Sequence, residues 1–323
     1  MKKSDLRIVF MGTPEFAVET LKALVDNGYN VVAVVTQPDK PVGRHGSVLQ
    51  PSPVKQYALA NALPVLQPEK MKDEQFVETL RSYHANLQVV VAFRMLPEIV
   101  WDMPEYGTFN VHAALLPQYR GAAPINWAVI NGETQTGVTT FFLDKDIDTG
   151  RIIMQMPFDI SDDANVETVY NGLMTLGAQI CLATLEKIVE NDGHPQTVAQ
   201  EEVTTEGELH VAPKIFKETC EINWRQSQKS VYDFVRGLSP VPGAWSKVVM
   251  PDGSEQVMKI YQTAKTEELA GDVEPGTLVI SKKKLYIATI DYLLELCSIQ
   301  LSGKKRMEAK DFLNGLKNMN AKK

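Results

Sequence analysis

The first half of the chain alternates short, almost continuous apolar runs with amphipathic ones. LRIVFMG (6–12), VVAVVTQ (31–37) and LQVVVAF (87–93) carry hardly a polar residue, as strands buried on both faces do. Between the first two, PEFAVETLKALVDNG (14–28) sets Phe16, Ala17, Leu21, Leu24 and Val25 on one helical face, with Pro14 near the start and Gly28 past the end. MKDEQFVETLRSYH (71–84) and APINWAVING (123–132) read as further helices, and TFNVHA (108–113) and GVTTFFLD (137–144) as further strands. The alternation predicts an α/β domain, a Rossmann-like parallel sheet covered by helices on both faces.

The texture changes near residue 190. NDGHPQTVAQEEVTTEGELHVAPK (191–214) is polar and turn-rich, which reads as a linker. QSQKSVYDFVRGL (226–238) predicts a helix. AWSKVVM (244–250), QVMKIYQTA (256–264), GTLVISKKKLYIAT (276–289) and YLLELCSIQL (292–301) are strand-like pieces with turns between them. Such spacing predicts a small antiparallel, OB-like β-barrel. The chain thus divides into a domain over 1–190, a linker over 191–209 and a C-terminal domain over 210–323.

A length of 323 residues agrees with two domains at about 100–200 residues each. Hydrophobic residues make up 44% and charged residues 23%, which excludes a disordered or fibrous chain. No apolar run approaches the ~18 residues of a membrane-spanning helix, and MKKSDLRIVFMGTPEF lacks the apolar core and cleavage site of a secretory signal. A cytoplasmic, monomeric protein without a membrane partner is the expectation. The three cysteines, Cys181, Cys220 and Cys297, form no CxxC pair, so no metal site is expected. The net charge of −7 conceals an asymmetry: residues 1–209 hold 15 Lys+Arg against 27 Asp+Glu, or −12, and residues 210–323 hold 18 against 13, or +5. A basic half joined to an acidic one points towards an anionic partner.

The turn after the first strand, MGTPEFA, has one glycine and a proline where a pyrophosphate cradle needs further glycines. A dinucleotide-dependent dehydrogenase is therefore excluded. Ligands of open parallel sheets still bind beyond the carboxyl ends of the strands. The polar stretch FNVHAALLPQYRGAAPINWAVINGE (109–133) leaves such an end. Asn110 and His112 share a face, because side chains repeat every two residues along a strand. In GVTTFFLDKDIDTGRII (137–153), Asp144, Asp146 and Asp148 stand at alternate positions. They are not a calcium loop, since the sixth and twelfth places hold Thr149 and Gln155 rather than Gly and Glu. Spacing alone does not say which of the three approaches His112.

These two stretches, with IVFMGTPEFAVETL and TQPDKPVGRHGSVLQPSPVK (36–55), resemble the folate-dependent formyltransferases, and among them those that act on initiator methionyl-tRNA. The resemblance covers nearly the whole chain. It implies Asn110, His112 and Asp148 as the catalytic set. It also implies Ala114, Leu115, Leu116 and Pro117 as the folate site, 10-formyltetrahydrofolate as formyl donor, and the loop around Arg44 at the acceptor end of the tRNA. Relatives commonly carry Ser where this chain has Ala114, which leaves backbone contacts at that position. VVVAFRMLP (89–97) departs from the small, glycine-containing segment of relatives, placing Phe93 and Arg94 at the edge of the folate pocket.

Acyl transfer needs hydrogen-bond donors where negative charge develops on oxygen, and the Asn110 amide suits that task. His112 either donates to the same oxygen or shuttles a proton between amine and leaving nitrogen. Asp148 either orients the imidazole or acts on the amine. For the tRNA, Lys282, Lys283 and Lys284 form one basic run and Lys304, Lys305 and Arg306 another. Each suits phosphate contact as well as it suits a solvated hairpin tip or helix end. Competing readings of the same catalytic residues are an amino-sugar-nucleotide formyltransferase and a formyltetrahydrofolate hydrolase. A non-catalytic RNA-binding protein is a third.

Overall fold

The computed structural model describes residues 1–42, 48–205, 207–250 and 252–320. Packing groups the chain into two units: Met1–Gly121, Gln135–Asp159 and Tyr170–Val211 in one, and Ala122–Thr134, Ile160–Val169 and Ala212–Lys323 in the other. Each unit thus draws on several stretches of chain, whereas the change of texture along the sequence places single boundaries at 190 and 209.

The first unit is built on a seven-stranded sheet. Its strands are β1 (Arg7–Gly12), β2 (Asn30–Val35), β3 (Val65–Leu66), β4 (Leu87–Val91), β5 (Thr108–His112), β6 (Gln135–Phe142) and β7 (Ile152–Asp159), in the order β7-β6-β5-β4-β1-β2-β3. The five strands from β3 to β5 along this order pair in parallel, four of them in segments that the sequence pattern predicts and β3 in one to which it assigns nothing. The β6 and β7 edge differs, because both strands pair antiparallel. Only residues 143–151 join them, and a parallel return needs a crossover of a dozen or more residues. On one face of the sheet, Val9, Met11, Ala33, Val35 and Val90 pack with Phe76, Val77 and Leu80 of the helix Glu74–Ser82. That helix is capped by Asp73, whose carboxylate accepts from the Phe76 amide at 3.0 Å.

The sequence pattern assigns nothing to most of 154–190, which holds the helix Val166–Glu190. This helix is long and apolar enough to cross a membrane by length and composition. In the structure it buries Leu173, Ile180, Cys181, Leu185 and Ile188 completely. Its Thr184 hydroxyl shares a 2.7 Å hydrogen bond with Thr140 of β6, so the helix lies on the sheet.

Two glycines let the backbone close around β5, Gly137 near its carboxyl end and Gly150 against Phe142, opposite its amino end. A Cβ on Gly150 would stand 1.7 Å from the Phe142 carbonyl oxygen, and one on Gly137 would stand 2.3 Å from the Met156 carbonyl oxygen and 2.5 Å from Leu115. The first lets the 143–151 loop return against β6. The second seats the Leu115 side chain on the strand.

The second unit is a curled antiparallel sheet of β8 (Ala244–Val249), β9 (Glu255–Ala264), β10 (Leu278–Ser281), β11 (Lys284–Ala288) and β12 (Leu293–Leu301), ordered β8-β9-β12-β11-β10, with Met307–Glu308 pairing to β12. The piece 276–289 is two strands rather than one. Lys282 and Lys283 turn the chain with φ of 50° and 64°, the left-handed pair of a two-residue hairpin loop. That loop normally advertises itself with Asn or Gly, and here it is spelled in lysine. Val231, Val235, Met258, Ile260, Ile287, Leu294 and Phe312 form the core of this unit. The helix Gln228–Gly237 is capped by Ser227, which accepts from the Ser230 amide.

Gly150→Ala is expected to cost about 3 kcal/mol or more, the upper range for forcing a methyl into closed space. Urea unfolding would read it as a lower midpoint at unchanged slope.

Candidate active site

His112 ends β5, with its side chain only 6% exposed. Its ring is fixed by the loop that follows, because Nε2 lies 2.9 Å from the Tyr119 carbonyl oxygen. A carbonyl only accepts, so Nε2 carries the proton and donates it. In the neutral ring Nδ1 is then a bare lone pair. It faces Asp148, whose Oδ2 is 3.9 Å away, close enough to stabilise an imidazolium and too far for a direct hydrogen bond. The same Oδ2 accepts the Gly121 amide at 3.0 Å.

The 143–151 loop separates the three aspartates. Asp144 ties its own turn, accepting from the Asp146 amide at 3.2 Å and the Thr149 hydroxyl at 2.7 Å. Asp146 is exposed. Asp148 turns inwards with φ of 55°, a left-handed conformation that Asp tolerates better than most residues. Asn110 stands two residues before His112 on the same strand, opposite Phe141 of β6. Its amide oxygen is buried with no hydrogen-bond partner. A buried polar atom left unpaired costs about 1–3 kcal/mol, so this group is built for a ligand. The amide rotated by half a turn presents its N–H there instead.

Residues 114–117 form a rigid ledge beside this centre. Thr139 of β6 donates to the Ala114 carbonyl at 2.6 Å and accepts the Leu116 amide at 3.0 Å. Gln155 of β7 donates to the Leu116 carbonyl at 2.8 Å and to Thr139 at 2.9 Å. The Leu115 carbonyl accepts the Gln118 amide at 3.1 Å. Leu116 packs on Phe141 and Ile152. Four of the backbone groups of this loop are thus engaged in holding its shape. Thr139 and Gln155 escape the sequence pattern, because a polar residue on an apolar strand announces burial and not its partner.

At the far side of β4, Arg94 donates to the backbone carbonyls of Glu69, at 2.8 Å, and Pro68, while Phe93 packs on the core beside β1 and β4. Burial pushes the Arg94 guanidinium below its usual range. Asp39 is held below the usual carboxylate range by hydrogen bonds from Lys55, at 2.7 Å, and Gln67. Arg44 lies outside the described residues.

In the second unit the basic runs sit at hairpin tips. Lys282 pairs with Glu268 at 2.8 Å and Lys284 with Glu295 at 2.7 Å. Lys283, Lys304 and Lys305 are exposed. Arg306 donates to the Ser298 hydroxyl at 2.8 Å and lies 4.5 Å from the Tyr261 ring centre.

Residues 6–185 match the Formyl transferase family, and residues 214–317 match the Formyl transferase, C-terminal domain. The chain is 59% identical over 320 residues to the methionyl-tRNA formyltransferase of Parabacteroides distasonis, covering 98% of each chain. To that of Bacteroides thetaiotaomicron it is 57% identical over 318 residues, again covering 98% of each. The chain belongs to the methionyl-tRNA formyltransferase family. It is an enzyme, a one-carbon transferase. Among solved structures, HypX from Aquifex aeolicus in complex with tetrahydrofolic acid has the same fold, with a TM-score of 0.63 at 20% identity over 96% of this chain and 47% of that one.

His112→Ala and Asp148→Asn are each expected to lower kcat for formyl transfer by about 10²–10⁴-fold, the usual worth of a positioned acid–base group. Asn keeps the left-handed conformation at 148, so circular dichroism and the melting temperature of Asp148→Asn should stay close to those of the parent. Full turnover in either variant removes that residue from the catalytic set.

Proposed function

We propose that Asn110, His112 and Asp148 carry the transfer of a formyl group from 10-formyltetrahydrofolate to the free amine of initiator methionyl-tRNA, the step that prepares the first amino acid for translation in the cytoplasm. The observation that carries this reading is the bare Nδ1 of His112 facing Asp148 across 3.9 Å. A protonated methionyl amine is not a nucleophile, and Nδ1 is a base within the site that can take its proton. Asp148 then faces a positive ring and stabilises it. Tyr119 already orients the imidazole through its carbonyl, so Asp148 is left to act on charge.

Asn110 serves the oxygen on which negative charge develops. Its amide, with the oxygen buried and unpartnered, is a preorganised dipole where water is screened off, and such a group acts most strongly there. The chain's residues fit a folate donor. The ledge of Ala114, Leu115, Leu116 and Pro117 is held from below by Thr139 and Gln155, giving a rigid, mostly apolar edge beside two polar catalytic groups. The donor supplies the activated formyl carbon when bound. His112 holds the proton that the leaving nitrogen requires.

Recognition of the tRNA draws on Lys282, Lys283, Lys284, Lys304, Lys305 and Arg306, with Arg44 meeting the acceptor end. The ion pairs of Lys282 and Lys284 are exposed and worth little, so phosphates replace the carboxylates at small cost. Neutralising Lys282, Lys283 and Lys284 together should weaken tRNA binding and reduce the slope of log K against log salt by about 1 for each phosphate that the variant no longer neutralises. An unchanged slope would return the run to solvent.

The reaction is tested by incubating 10-formyltetrahydrofolate with initiator methionyl-tRNA, uncharged initiator tRNA, an amino-sugar nucleotide or no acceptor. Formyl incorporation with the charged tRNA alone is expected. Formate release without an acceptor, or formylation of the sugar, would overturn the proposal.

A further inference from the structure

We infer that Gln200 is a positioning residue for this reaction, setting Asp148 against His112; the inference rests on the catalytic role proposed for Asp148. Gln200 lies in the segment that reads from sequence as a linker, yet its side chain is 2% exposed and saturated with hydrogen bonds. Nε2 donates to the carbonyl oxygens of Asp148, at 2.9 Å, and Gly150, at 2.8 Å. Oε1 accepts from Arg120 Nε at 2.9 Å and Nη2 at 2.6 Å. The amide cannot be reversed, since an oxygen would then face two carbonyls and an N–H₂ would face a guanidinium.

These bonds join the two loops that meet at the site. On one side stands Asp148, in a left-handed conformation that persists only where its surroundings hold it. On the other stands Arg120, whose neighbour Gly121 donates its amide to the Asp148 carboxylate at 3.0 Å. Gln200 therefore grips Asp148 by its backbone and, through Arg120, the peptide that receives its carboxylate. The adjoining bridge between Val198 and Ile152, with amide–carbonyl distances of 2.9 and 2.8 Å, fixes the segment to β7. Gln200 directs its hydrogen bonds to Asp148, Gly150 and Arg120. It acts by keeping the carboxylate near its 3.9 Å separation from Nδ1, and a displacement of 1 Å in such a constellation costs on the order of 10²-fold in rate.

The test substitutes Gln200→Glu and Gln200→Met in the parent enzyme and in the Asp148→Asn background, measuring kcat, KM for both substrates and melting temperature. Glu keeps the acceptor for Arg120 and matches its charge but cannot donate to the two carbonyls; Met removes both halves. Gln200→Glu is expected to lower kcat about 10–100-fold with both KM values within twofold. In the Asp148→Asn background it should change kcat less than twofold, because the group being positioned is already gone. Gln200→Met should behave likewise, with a larger fall in melting temperature. Parental kcat in Gln200→Glu, or an equal loss in both backgrounds, would overturn the inference while leaving Asp148 in place. Parental kcat in Asp148→Asn alone would overturn the role of Asp148, and this inference with it.

Discussion

The hydrogen bond from His112 Nε2 to the Tyr119 carbonyl is the interaction on which the site depends. It commits the imidazole to one tautomer, aims Nδ1 at Asp148 and closes the chain back on itself seven residues after the strand ends. Without it the ring would be free to turn its N–H towards the carboxylate. The pair would then be an ordinary His–Asp hydrogen bond, with the ring's lone pair moved to Nε2 and away from the carboxylate. A backbone carbonyl performs the orienting task that a carboxylate performs in many triads, and the Asp148 carboxylate stands 3.9 Å from the other ring nitrogen.

That bond requires the loop after β5 to be stiff. Stiffness comes from β6 and β7, the two strands that depart from the parallel pattern. Thr139 and Gln155 reach from them into the 114–117 backbone, and Gly137 lets Leu115 sit against the strand. Because the return from β6 to β7 is short, it forms a loop that starts beside Thr108, at the amino end of β5, instead of crossing the sheet. Asp148 rides on that loop. The antiparallel edge is thus part of how the carboxylate arrives at the histidine.

Much of this is legible in the residues. The main parallel strands follow from unbroken apolar runs, because both of their faces are buried; the helix at 15–26 and the antiparallel second unit follow from periodicities of 3.6 and 2, because one buried face per element leaves a repeat in the sequence. Asn110 and His112 pair by alternation alone. The helix Val166–Glu190 and the strand Ile152–Asp159 escape such a reading, as does the Lys282–Lys283 turn, whose left-handed residues lack the usual Asn or Gly. Gln200 is hidden in a polar stretch, since its partners are backbone carbonyls that no sequence displays.

The sequence by itself determined many of the strands and helices, that a polar pair crowns an apolar strand, and which family the stretches around Asn110 and Asp148 resemble. These are properties of near neighbours along the chain, where spacing and hydrophobicity leave a local record. Tertiary structure decided which of three aspartates meets His112, which imidazole nitrogen keeps its proton and what holds the 114–117 ledge rigid. Each of those depends on atoms brought together from distant points of the chain, such as Gln200 with Asp148 or Leu116 with Gln155. A bond of that kind is set by geometry, and geometry exists only once the chain has closed.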